Sequence, residues 1–171
     1  KWRLLVDGSV VRKGTFSHSE TTVEQLSQSV SVKVISRVRV ASVVRGDVLS
    51  SLLKVCRNLW GVDPEIAEVQ QQCAGIEQGY DDHSLLGVDR WLGVLAAYNK
   101  YQKACLVVSC GTAVTLDFVD VKGRHLGGYI VPGLNLMRKA LFGGTDAVKV
   151  ESFSVNDLLE PGRDTQSAVN N

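Results

Sequence analysis

Two apolar runs of β character around a short glycine turn constrain this chain more than any other feature. Ala104-Cys105-Leu106-Val107-Val108 leads into Ser109-Cys110-Gly111-Thr112, and Ala113-Val114-Thr115-Leu116-Asp117 leaves it. A second glycine cluster, Gly127-Gly128, follows in a strand that Pro132-Gly133 stops. Gly111 has no side chain to keep backbone N–H groups away from anionic oxygens, and the Thr112 hydroxyl adds a donor, so this turn after a buried strand suits a phosphate. The turn lacks the lysine of a Walker loop, and Gly-Thr in a strand corner also serves plain structure. Any site here is therefore assembled by the fold from several segments.

With 171 residues, 44% of them apolar, the chain is able to bury a core. Its 19 basic and 18 acidic residues leave a formal charge of +1, too little field to attract nucleic acid or an anionic membrane. Small-molecule chemistry is the expectation. No apolar run of about 18 residues spans a bilayer and no basic-then-apolar leader opens the chain, which reads as soluble and cytoplasmic. Cys56, Cys73, Cys105 and Cys110 show no C-x-x-C spacing and are expected as reduced, mostly buried thiols. His18, His83 and His125 are far apart and are assigned ordinary surface or core roles. The start at Lys1-Trp2, without methionine, reads as cut from something longer.

Along the chain, residues 1–15 read as two strands about the turn Asp7-Gly8. Thr21-Thr22-Val23-Glu24 opens a short helix through Val30, and residues 32–40 alternate as a strand with a solvated basic face. Asp47 to Trp60 has helical apolar spacing and ends at Gly61. Residues 63–86 are polar and irregular and suit a site loop. Asp89 heads a helix running to about Gln102. Strands 104–108, 115–120 and 125–131 follow, then a helix from Asn135 to about Leu141, a loop-like stretch, and a first helical turn over Asp164 to Val169.

Asp89 has two readings. At a helix start a carboxylate accepts orphan N–H bonds and suits the positive dipole end. The same placement lets an ionised carboxylate take a proton from an alcohol as it attacks phosphorus. Arg90 beside it is a surface cation or a fork for a substrate carboxylate or a transferring phosphate. Tyr80, between Gly79 and Asp81-Asp82, is a packing ring or a hydroxyl for a small polar ligand.

In order, the chain carries Lys1-Trp2, Gly79-Tyr80, Leu86-Gly87-Val88-Asp89-Arg90-Trp91, Gly111-Thr112-Ala113-Val114-Thr115-Leu116-Asp117 and Gly127 to Gly133. This series resembles type III pantothenate kinase over essentially the whole chain. The resemblance implies the acetate and sugar kinase, Hsp70 and actin superfamily: an α/β fold of two ribonuclease-H-like domains around a cleft. Both would be incomplete here, with the first over 1–103 including the linking helix and the second over 104–171. It implies ATP-dependent phosphorylation of pantothenate, the first step of coenzyme A biosynthesis; the alternative is a non-catalytic regulatory or interaction protein on the same fold. By resemblance Asp89 is the general base, Tyr80, Gly87, Val88, Asp89, Arg90 and Thr165 hold pantothenate, and Gly111 and Thr112 touch ATP. Mg²⁺ would bridge ATP phosphates. A homodimer is expected, with Thr165 near the pantothenate site and an apolar helix around Leu134, Leu136, Met137 and Leu141. Two departures stand out. The family's D-x-G-N-[ST] loop is not in the sequence, so this piece is expected not to turn over. Ser109 also stands where the family has a cation-binding aspartate, which puts a requirement for K⁺ or NH₄⁺ in doubt.

Overall fold

The computed structural model describes residues 1–15, 28, 30, 34–44, 46–144 and 161–170. It is a mixed α/β chain that divides into two compact units, residues 1–70 with 84–91, and residues 71–83 with 92–171. The helix expected over 21–30 falls almost wholly outside the described residues, as does His18.

In the first unit, strands β1 (Trp2–Val6) and β2 (Ser9–Gly14) form an antiparallel hairpin. Both turn residues take positive φ, Asp7 at 49° and Gly8 at 78°, the pattern that matches the twist of a two-residue hairpin. Trp2 lies across from Gly14, where a Cβ would come within 2.7 Å of the indole, so the ring occupies the space a side chain would need. Helix α1 spans Asp47–Trp60 and ends on Gly61, whose left-handed φ of 64° lets its N–H reach the Arg57 carbonyl at 2.8 Å. Cys56 on this helix is buried, and burial pushes its thiol up.

The long strand expected over 32–40 is corrected. Among its described residues only β3 (Arg39–Val40) is extended into a ladder, parallel to β4 (Glu65–Ile66). The physical reason is the partner: alternation is local, whereas a ladder needs donors opposite, and among the described residues only the Glu65 and Ala67 N–H groups reach this segment, at the Val38 and Val40 carbonyls (2.9 and 2.8 Å). The basic residues there serve Glu65: Arg37 forks onto it at 2.5 and 2.7 Å, and holds its carboxyl below the usual range.

In the second unit, β5 (Gln72–Cys73) and β6 (Ile76–Glu77) make a small hairpin about Ala74 and Gly75, again with positive φ at both. Ile76 and Gln78 are buried, so part of the expected loop is core. A short 3₁₀ turn at His83–Leu85 precedes helix α2, Val88–Tyr101, which the division between the units crosses after Trp91. Strands β7 (Cys105–Cys110), β8 (Ala113–Val119) and β9 (His125–Pro132) form an antiparallel sheet in the order β7-β8-β9. Gly93 of α2 sits against Val107, a Cβ there lying 3.5 Å from the valine methyl, so the helix covers one face. The other face leaves Leu106, Val108 and Tyr129 half exposed or more. The strand before the Gly-Thr turn is thus open rather than buried, because its side chains alternate and the second face has no cover among the described residues. Cys73 and Cys105 are half-buried and Cys110 exposed, so Cys56 is the sole fully buried thiol.

The β8–β9 turn is held by Asp120, which accepts from the N–H groups of Lys122 (2.8 Å) and Arg124 (2.9 Å). Gly123 within it takes a φ of 80°, and there is no room for a side chain against the Gly75 carbonyl and the Tyr98 ring. Helix α3 (Leu134–Gly144) follows β9 one residue beyond Pro132, which belongs to the strand. Helix α4 (Thr165–Asn170) is capped by Asp164, whose carboxylate accepts from the Ser167 N–H at 2.7 Å. Arg138 of α3, buried, donates to the Val169 carbonyl at 3.1 Å and so ties α3 to α4. No helix among the described residues is long and apolar enough to cross a membrane.

Candidate active site

Four of the sequence-derived residues share the first turn of α2. The Trp91 N–H closes the first helical bond onto the Gly87 carbonyl at 3.0 Å, which makes Gly87 the N-cap and puts Asp89 one residue inside the helix start. Asp89 is exposed, and a Cβ on Gly87 would meet its Oδ1 at 2.7 Å. The carboxylate therefore lies back over the N-cap, at the positive end of the helix dipole, in space that only a glycine leaves open. Leu86, Val88 and Trp91 are buried and anchor this turn. Arg90 is 7% exposed, so it is an interior cation rather than a surface one. The turn presents a carboxylate on one side and sinks a guanidinium on the other, because successive helical residues point about 100° apart.

The second cluster is the Gly-Thr turn between β7 and β8. Gly111 and Thr112 are exposed, and the Gly133 N–H donates to the Thr112 carbonyl at 2.9 Å. A Cβ at Gly133 would collide with the carbonyls of Gly111 and Thr112. The glycine that accompanies the turn is thus Gly133; Gly127 and Gly128 lie opposite Phe118 and Asp117, well down the strand. The hairpin register carries this information: Ala113 pairs with Pro132, so the residue after Pro132 must reach the turn. Ser109 is exposed and pairs with Thr115.

Tyr80 sits at the other end of the same hairpin. Its ring stacks on His125, centroids 5.9 Å apart and planes 18° from parallel. His125 pairs with Val119 and Thr112 adjoins Ala113, so Tyr80 and Thr112 are separated by six strand residues, roughly 20 Å. Beneath the stack His125 Nε2 lies 2.9 Å from Asp117 Oδ1, with both side chains buried. An open cleft of about 220 Å³ beside this loop is lined by Glu77, Gln78, Gly79, Arg124, His125 and Leu126. Sequence reasoning gave His125 only a generic role, since its link to Asp117 needs a β-bulge between Phe118 and Val119 that no local pattern announces. Thr165 is exposed at the first position of α4.

Comparison with known proteins identifies the family of the chain. The family model for type III pantothenate kinase matches residues 1–171. The chain belongs to the type III pantothenate kinase family. The activity that comes with membership is the ATP-dependent phosphorylation of pantothenate, a phosphotransferase reaction. A type III pantothenate kinase of Pseudomonas syringae pv. syringae is 38% identical over 174 residues, covering 99% of this chain and 70% of that protein. One from Chromohalobacter salexigens is 44% identical over 138 residues, covering 80% of this chain and 49% of that protein. The fold is similar to the crystal structure of a conserved putative Baf family transcriptional activator from Campylobacter jejuni, at a TM-score of 0.50 and 21% identity over 85% of this chain and 61% of that one.

Among the described residues no three His, Cys, Asp or Glu side chains are grouped as a protein-held metal needs. Mg²⁺ is held chiefly by nucleotide phosphates with one or two carboxylates, so it requires no such group from the protein.

Proposed function

We propose that Asp89 is the general base of a pantothenate kinase reaction and that the chain carries both its substrate- and ATP-contacting turns. The observation that carries this is the exposed Asp89 carboxylate held over Gly87 at the helix start, with Arg90 buried beside it. Asp89 takes the proton of the pantothenate hydroxyl as its oxygen attacks the γ-phosphorus; the bond from γ-phosphorus to the bridging oxygen breaks, and ADP leaves. Gly87, Val88 and Arg90 are read as positioning pantothenate around that base. Tyr80 contributes its hydroxyl to pantothenate, and Gly111 and Thr112 offer backbone and hydroxyl donors to ATP phosphates. Placement and charge neutralisation supply most of the rate.

Residues 1–103 and 104–171 are read as parts of two ribonuclease-H-like domains, and the reaction as the entry to coenzyme A synthesis in the cytoplasm. Mg²⁺ travels with the ATP phosphates. A K⁺ or NH₄⁺ requirement is weak, because Ser109 offers a neutral hydroxyl where a carboxylate would hold the ion better; a strong preference for potassium over sodium salts in turnover assays overturns this. A homodimer places Thr165 by the pantothenate site. Its support is the exposure of Leu134, Leu136, Met137 and Leu141 on α3, and sedimentation of the intact protein as a monomer at micromolar concentration removes it.

The deciding experiment is Asp89→Asn in the intact protein. It is expected to lower kcat by on the order of 10² or more with the fold unchanged. Near-normal turnover returns Asp89 to stabilising its helix.

A further inference from the structure

We infer that His125, oriented by Asp117, is a positioning residue for pantothenate that acts through Tyr80. The inference rests on the reading of Tyr80 as a pantothenate contact. Tyr80, Asp117 and His125 all lie in the second unit.

The backbone around Tyr80 is tied on several sides. The Glu77 N–H donates to the Gly123 carbonyl at 2.9 Å, the Gln78 N–H to the Gln71 carbonyl at 2.9 Å, and the Tyr80 N–H to Gln78 Oε1 at 2.8 Å. Gly79 runs so close to the His125 carbonyl that a Cβ has no space. These contacts place the Tyr80 backbone, and the His125 ring offers the tyrosine ring a near-parallel face that favours one orientation of it. His125 is itself immobile: its side chain is fully buried and its Nε2 meets Asp117 Oδ1, which fixes the plane of the imidazole. A phenylalanine at 125 would give a face but no donor for a buried carboxylate. Histidine meets both demands at once. The order of dependence runs from Asp117 to the His125 plane, to the Tyr80 ring, to the ligand.

The test is a double-mutant cycle in the intact enzyme. His125→Gln keeps an amide N–H for Asp117 and removes the ring; His125→Asn serves if the glutamine variant does not unfold cooperatively on heating. Either is expected to raise the KM for pantothenate by about tenfold, the scale of losing one well-placed aromatic pair, with the KM for ATP unchanged. In a Tyr80→Ala background the same change at 125 is expected to have no further effect on the pantothenate KM. The inference is overturned if the single change at 125 leaves that KM at its wild-type value, or raises it by the same factor with and without Tyr80. Tyr80→Ala alone leaving the pantothenate KM unaltered overturns the Tyr80 reading and the inference with it. Failure of the change at 125 while Tyr80→Ala succeeds removes the inference alone.

Discussion

Asp89 and Asp117 carry the same side chain in opposite surroundings. Asp89 is exposed in the first turn of α2, its carboxylate lying over a glycine N-cap. Asp117 is 1% exposed in the middle of a sheet and faces a buried histidine at 2.9 Å. A carboxylate that must accept a proton from a bound alcohol has to reach it, and it needs an approach that substrate can share. A carboxylate that already accepts an N–H in the interior is committed to that partner, since unpairing it costs the desolvation of both. Burial and partnership, rather than residue type, therefore divide chemistry from architecture here.

Two substitutions test that division most strongly. Asp89→Asn is expected to cost about two orders of magnitude in kcat or more and to leave thermal stability near wild type. Asp117→Ala is expected to do the reverse. Removing the acceptor leaves His125 Nε2 buried without its partner, a loss on the order of 3 kcal/mol. For a chain of this size that lowers Tm by roughly 6–12 °C. Calorimetry alongside turnover separates the two. If Asp117→Ala proves as stable as wild type, or Asp89→Asn unfolds early, the contrast between the two aspartates collapses.

Next in size is Gly87→Ala, which bears on why Asp89 has its position. The added Cβ would come within 2.7 Å of Asp89 Oδ1, and the carboxylate end is the part that can yield. The helix should survive with a somewhat poorer N-cap, since alanine caps less well than glycine, while the base is displaced from its place over that position. We expect kcat to fall about tenfold with Tm within a few degrees of wild type, since a displacement of about 1 Å is costly in a positioned group. Unchanged kcat would mean that Asp89 works from another rotamer.

What the sequence makes legible follows the range of the forces involved. The Asp7-Gly8 hairpin, α1 with its Gly61 terminator, and the Gly-Thr and Lys122-Gly123 turns are set by φ preferences and apolar spacing within a few residues. The first-turn cluster around Asp89 is contiguous and equally visible. The two-residue ladder of β3 is not, because Arg37 and Arg39 give the alternation of a strand while its extent is set by the partner segment Glu65–Ile66, some 25 residues on. Nor was the Asp117–His125 pair, whose meeting depends on a bulge, or the role of Gly133, which depends on a register. Local chemistry named the catalytic candidates; long-range pairing decided which residues hold them in place.

Asp120 lies between the two extremes and gives the smallest expected effect. Like Asp89 it is open to water, and like Asp117 it is engaged, though only by backbone: the N–H of Arg124 foremost, then that of Lys122, with the charges of both side chains adding to the pull. These hold its carboxyl below the ordinary range against some loss of hydration, which pushes the other way. A carboxyl whose folded value is depressed adds stability above its unfolded value, about 3.9, and loses it as pH falls through the lower folded value. Asp120→Asn keeps an oxygen for the two N–H groups and removes only the charge. The variant should therefore melt slightly below wild type at pH 7, and the gap should close as pH drops below about 3.9 and the wild-type carboxyl is protonated. Thermal melts at a series of pH values check this. A gap that stays constant into acid would show that the turn depends on the geometry of its acceptor and not on its charge, and would place Asp120 with the architectural aspartate rather than between the two.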